Sequence, residues 1–246
     1  MAARGCERAT MPTGVSTFVL IHGAGDSGWY WHLVEPALRA RGHDVVAPDL
    51  PSDNAAAQLT DYADTVVASV GERRELIVVG QSFGGFTAPL VADRLRADVL
   101  VFVAAMVPAP GEPPGDWWTN VGYSAAVRAQ AARDGGLTGN DDPYVTYYHD
   151  VPRELAEAHM RRERAHPSEA AMAAPWPLAA LPDVDTRFVL CTEDRFFPAE
   201  LMRRVVRERL HIDPDEIAAG HCVALSRPQE LASMLLGYVG NQSDGH

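Results

Sequence analysis

Apolar residues gather into short unbroken runs separated by stretches where they recur every three or four positions, and the two patterns alternate along most of the chain. The run VSTFVLI at 15–21 is β-branched and closes on His22-Gly23-Ala24-Gly25, which predicts a buried strand ending in a glycine-rich turn. Residues 29–41 read as helix and 44–47, ending at Pro48-Asp49, as a second strand. A helix is predicted over 59–70, where Leu59, Tyr62, Val66 and Val70 share a face. A third strand at 75–79 is stopped by Gly80, a helix follows over 83–95, and 98–104 is a strand whose VLVFVA core has no polar position. The rhythm resumes with a strand at 186–191, a helix at 199–210, a strand at 216–218 and a last helix at 228–238.

Strands that lack alternation are buried on both faces, as parallel strands flanked by helices are. The pattern therefore predicts an α/β fold with a doubly wound, mostly parallel sheet. Between Val107 and Pro182 the rhythm breaks into a proline-rich stretch, the pair Trp117-Trp118 and Ala- and Arg-rich helical pieces at 124–133 and 153–164. This segment reads as a helical cap of residues 107–182, inserted after the strand at about 98–104 into a core made of 12–106 and 183–240. Residues 1–11 and 241–246 read as disordered tails, the part before Met11 being either a lead or a misassigned start.

Composition narrows the partners. The 246 residues are 47% hydrophobic and 22% charged, an ordinary folded domain. A net charge of −12 repels phosphate backbones and anionic lipid, so neither nucleic acid nor a membrane is expected as partner and a small molecule is. Every basic residue is Arg, which removes Schiff-base and phosphate-loop lysine chemistry. Cys6, Cys191 and Cys222 are too few and scattered for a disulfide framework or a zinc site. No run reaches the roughly 20 apolar residues of a spanning helix, and the first ten lack the apolar stretch of a signal peptide. A reduced, cytoplasmic setting with no metal and no cofactor is the expectation.

Gly80-Gln81-Ser82-Phe83-Gly84 is a G-x-S-x-G motif between a predicted strand and a predicted helix, the context in which it lifts a serine out of a tight turn. A side chain at Gly80 or Gly84 would collide with such a turn. A serine hydroxyl needs a base, and His221, just past the last strand, is the best placed of nine histidines. His149, His159 and His166 fall in the cap, His246 in the tail, and His32, His43 and His211 on or beside helices. The imidazole needs a carboxylate, and Asp194 follows the strand ending at Cys191; Glu193 competes, whereas Asp183 and Asp185 precede that strand and lie at its wrong end. Backbone N–H groups of Phe83 and Ala24 are the expected oxyanion donors, each worth roughly 3–4 kcal/mol. His22 reads as a brace for its loop, and Cys222 as a packing residue.

With these residues in place the chain resembles the α/β-hydrolase superfamily, and within it the plant methyl esterase and hydroxynitrile lyase group with its bacterial relatives. The resemblance spans nearly the whole chain, through FVLIHGAGDSGWYW, VVGQSFGG, FVLCTEDRFFP, AAGHCVALSRPQEL and YYHDVPRELAEAHMRRER. It implies a Ser82–His221–Asp194 triad and an oxyanion hole at Ala24 and Phe83. The lyases carry lysine directly after the histidine and threonine in the first glycine-rich loop. Cys222 and Gly23 stand there in this chain, which disfavours cyanohydrin cleavage, and Gln81 replaces the usual histidine before the nucleophile. The expected activity is hydrolysis of a small hydrophobic or aromatic carboxylic ester through an acyl-enzyme, with Trp117, Trp118, Tyr147 and Trp176 as candidate pocket residues. The alternatives are a non-catalytic small-molecule receptor on the same fold and a cofactor-free perhydrolase.

Overall fold

The computed structural model describes residues 14–239. The tails expected at 1–11 and 241–246 lie outside the described residues. Six strands follow in chain order, β1 (Thr17–Ile21), β2 (Asp44–Val46), β3 (Leu76–Gln81), β4 (Val99–Val103), β5 (Asp185–Cys191) and β6 (Asp215–Ile217). They form one sheet of order β2-β1-β3-β4-β5-β6, and every pairing is parallel. The period of two divides β1, β3, β4 and β5 between two cores. Val19, Ile21, Val78, Leu100, Phe102 and Leu190 join one, while Phe18, Leu20, Val79, Val101, Val103 and Val189 join the other. Both faces are covered, which is why these strands read as continuous apolar runs.

The helices are α1 (Glu35–Arg39), α2 (Leu59–Val70), α3 (Gly84–Leu95), α4 (Pro114–Asn120), α5 (Tyr123–Asp134), α6 (Pro143–Thr146), α7 (Arg153–Met160), α8 (Glu169–Ala173), α9 (Ala199–Leu210), α10 (Val223–Ser226) and α11 (Pro228–Gly237). Helices α2, α3 and α9 cover the first face, and α1, α10 and α11 the second. Between β4 and β5 the chain is helical, with α4 to α8 and no strand. None of the described helices is long and apolar enough to cross a membrane.

Two expectations need correction. The helix predicted over 29–41 is a 3₁₀ turn at Gly28–Trp31 followed by the short α1. Pro36 sits in the first turn of α1, where its missing N–H is harmless; further inside a continuous helix it would break the ladder. Strand β3 does not stop at Gly80 but continues to Gln81. Gly80 pairs with both Ile21 and Phe102, and its bare α-carbon admits Ala88 and the Gly84 carbonyl, which a Cβ would meet at 2.7 Å. The short helix α10, unforeseen, is divided from α11 at Arg227, whose φ of −134° reflects the restriction imposed by Pro228.

The segment between β4 and β5 is anchored on the core by a buried ion pair. Arg209 on α9 clasps Glu112 with bonds of 2.5 and 2.8 Å and also donates to the Val107 carbonyl. Burial works against the Glu112 carboxylate, but hydrogen bonds from Arg209 and Asn120 outweigh it and hold the carboxyl below its ordinary range.

Candidate active site

All three predicted chemical side chains lie beyond C-terminal ends of parallel strands, where open α/β sheets place their sites. Ser82 follows β3 with φ of +50°, a region costly for a side chain-bearing residue, on the order of 1–3 kcal/mol. Its backbone is held there on three sides. The Ser82 N–H donates to the Val103 carbonyl, and the Ser82 carbonyl accepts from the N–H groups of Gly85 and Met106. Close approach makes the neighbouring glycines necessary, since a Cβ on Gly84 would lie 2.7 Å from the His22 carbonyl oxygen and one on Gly85 2.0 Å from that of Met106.

The loops after β5 and β6 continue the sheet ladder beyond the strands, with Thr192 N–H donating to Ile217 and Glu193 N–H to Ala219. This pairing brings the carboxylate and imidazole together. Asp194 Oδ2 is 2.8 Å from His221 Nδ1, and His221 Nε2 is 3.1 Å from Ser82 Oγ. A carboxylate only accepts, so Nδ1 carries the proton and the Nε2 lone pair faces the serine hydroxyl. The other oxygen of Asp194 accepts from the Phe196 and Phe197 N–H groups at 2.8 and 2.9 Å, fixing the carboxylate plane. Glu193, the competing acid, is exposed.

The turn after β1 lies against the serine. A Cβ on Gly23 would fall 2.9 Å from the Cβ of Ser82. His22 is fully buried; its Nδ1–H donates to the Gly23 carbonyl and its Nε2 accepts the Leu50 N–H, bracing the turn to the loop after β2. Burial lowers its pKa, in keeping with a neutral ring serving as donor and acceptor at once. Among the described residues, no hydrogen-bond partner engages the N–H of Ala24 or of Phe83.

The four aromatics named from sequence divide. Trp117 and Trp176 are buried in the core, their indole N–H groups bonded to the Val107 and Phe86 carbonyls at 3.0 Å. Tyr147 stands edge-on to His221, ring centroids 5.8 Å apart, and Trp118 joins the same aromatic group through Phe196 and Phe197. Sequence reasoning missed Phe196 and Phe197, which lie edge-on to His221 at 5.0 and 5.2 Å. Gln81, noted from sequence only as a departure from the usual histidine, brings its amide nitrogen within 3.4 Å of His221 Nε2. Burial beside Asp194 pushes the Tyr147 phenol up to about 12 and the Cys222 thiol well above its usual value, so both stay protonated.

Residues 18–234 match the Alpha/beta hydrolase family over most of the chain. The chain belongs to that family. This hydrolase is 26% identical to norfluorocurarine synthase 1 of Strychnos nux-vomica, with 89% of this chain and 93% of that protein covered. It is 24% identical to methylesterase 3 of Arabidopsis thaliana, covering 89% and 94%. Among solved structures, the crystal structure of polyneuridine aldehyde esterase superposes with a TM-score of 0.74 at 23% identity, covering 91% of this chain and 99% of that one.

Proposed function

We propose that this alpha/beta hydrolase cleaves a small hydrophobic or aromatic carboxylic ester through an acyl-enzyme. The observation that carries the reading is the continuous line Asp194–His221–Ser82, with links of 2.8 and 3.1 Å inside a largely buried site. The methylesterase and aldehyde esterase names of its relatives support the same chemistry.

In this reading His221 Nε2 takes the proton of Ser82 as Oγ bonds to the ester carbonyl carbon, and Asp194 stabilises the imidazolium. The carbonyl oxygen becomes an oxyanion facing the N–H groups of Ala24 and Phe83, which have no hydrogen-bond partner among the described residues. The intermediate collapses as His221 returns the proton to the departing alkoxy oxygen. Water then repeats the sequence on the acyl-serine, releasing the acid. The helical segment of residues 107–182 serves as the cap, and Tyr147 and Phe196, whose edges meet His221, line the side on which an apolar substrate group rests.

The test is hydrolysis of a chain-length and aromatic series of p-nitrophenyl and methyl esters by wild type and Ser82→Ala. Turnover by wild type and a loss on the order of 10⁶-fold in the variant are expected, because triad members act as a unit. Absence of wild-type turnover across the series, or retention of most activity by the variant, would overturn the reading.

A further inference from the structure

Four consecutive residues between α6 and α7 each reach a different part of the site. Tyr147 sets its ring against His221. The Tyr148 hydroxyl donates to His159 Nδ1, and His159 Nε2 donates to Asp26, two residues beyond Ala24. His149 Nε2 donates to the Glu193 carbonyl at 3.0 Å, in the loop that carries Asp194. Asp150 Oδ2 accepts the Gly220 N–H at 2.8 Å, directly before His221. The chain just before this connection is stitched to the acid loop twice more, by the N–H of Gly139, ahead of α6, to the Arg195 carbonyl and by the Arg195 guanidinium to the carbonyl of Val145 within α6.

Asp150 is the most telling of these residues. Its side chain is 8% exposed, and the nearest cation, Arg227, stands 4.0 Å away. Its second oxygen, Oδ1, is buried and has no hydrogen-bond partner among the described residues. A carboxylate so placed costs stability, and each such group in a folded protein calls for an explanation. The approach is also close: a Cβ on Gly220 would lie 2.6 Å from Asp150 Oδ1 and 2.7 Å from His149 Nε2. Only glycine lets the segment press this tightly on the turn that aims the base.

We propose that Asp150, with His149 beside it, is a positioning residue for the proposed triad, fixing the turn that carries His221 and the loop that carries Asp194 from outside the sheet. Neither residue touches Ser82 or the reacting atoms; Asp150 acts through the Gly220 N–H. The inference deepens the esterase reading and rests on it for its kinetic part. Its geometric part stands without that reading. When the Gly220 bond is removed the turn relaxes, the Nε2–Oγ geometry loosens, and the loss falls on the chemical step rather than on substrate binding. A displacement near 1 Å at such a distance costs on the order of 100-fold in rate.

The experiment compares wild type, Asp150→Ala and Asp150→Asn by two measurements. The first is amide hydrogen exchange of peptides spanning residues 219–222, which needs no substrate. The second is the rate of Ser82 labelling by a fluorophosphonate probe, together with kcat and KM on the best p-nitrophenyl ester. Asp150→Ala is expected to speed exchange in that stretch and to slow labelling and kcat by about 10- to 100-fold with KM changed less than threefold. Asparagine keeps an oxygen acceptor for Gly220 and is expected to restore both exchange and labelling to within a few-fold of wild type. Should the alanine variant not fold, Asp150→Leu removes the acceptor without leaving a gap and is read the same way. Wild-type exchange in the alanine variant, labelling within threefold of wild type, or an asparagine variant as impaired as alanine would overturn the proposal. A wild type that takes no label defeats the esterase reading instead, and the exchange measurement alone then decides the positioning claim.

Discussion

Replacing Asp194 by Asn changes one atom and, on this geometry, reverses the working tautomer of His221. The oxygen facing Phe196 and Phe197 receives two backbone N–H groups at 2.8 and 2.9 Å. An amide NH₂ placed there would set donor against two donors, so the asparagine must keep its oxygen on that side and turn its NH₂ to His221. The ring then has to accept at Nδ1 and carry its proton on Nε2, toward Ser82 Oγ, where no lone pair remains to take the serine proton. Loss of the correct tautomer in a serine–histidine–carboxylate triad costs about 10⁴-fold in kcat. That corresponds to roughly 5.4 kcal/mol of transition-state stabilisation at 1.36 kcal/mol per decade. Because the loop bonds persist, thermal stability should change by no more than a few degrees. The assay is kcat on the best p-nitrophenyl ester, read beside a thermal melt of the same samples. Turnover within tenfold of wild type, with the fold intact, would refute the assignment of Asp194.

Two further outcomes bear on the scaffold. Arg209→Met strands the Glu112 carboxylate, only 5% exposed, without its bidentate partner, and is expected to cost about 3–5 kcal/mol in urea unfolding at neutral pH. The folded-state pKa of Glu112 is depressed, so the wild-type pair contributes above the ordinary carboxylate range and loses its contribution as pH falls through the folded value. The gap between wild type and variant should therefore narrow on acidification, and a gap below 1 kcal/mol at pH 7 would count against the pair as an anchor. Gly85→Ala drives a Cβ to 2.0 Å from the Met106 carbonyl oxygen, which is backbone and has little room to yield; a loss of about 1–3 kcal/mol is expected, and urea stability within 0.5 kcal/mol of wild type would contradict the packing described.

The parallel sheet was legible because two-sided burial leaves no polar position in β4 and only the leading Thr17 in β1, and because Gly80 and Gly84 mark the turn between β3 and α3. The order of Ser82, Asp194 and His221 along the chain was enough to point to the three loops that meet. Helices α4, α6 and α8 were missed for a physical reason. They are four to seven residues long, too short to display a periodic face, and two of them begin at prolines that sequence reading takes as breaks. Phe196 and Phe197 offered a signal in hindsight: two aromatics standing two and three residues after an aspartate, at the spacing where its carboxylate can cap their N–H groups. Nothing local could have announced Asp150, whose partner Gly220 lies 70 residues away.

The position of β4 in the sheet has a consequence for synthesis. Strands β1 to β4 are complete once residue 103 has emerged, yet the edge of β4 that β5 will occupy stays unpaired until residues 104–184 have been added. At about 5–20 residues per second this interval lasts on the order of ten seconds. Throughout it, the sequence VLVFV presents open backbone groups and apolar side chains on the growing sheet. The chain is thus most prone to association while its ribosome is still at work, and slowing translation across the helical segment should lower the soluble yield without altering the finished protein.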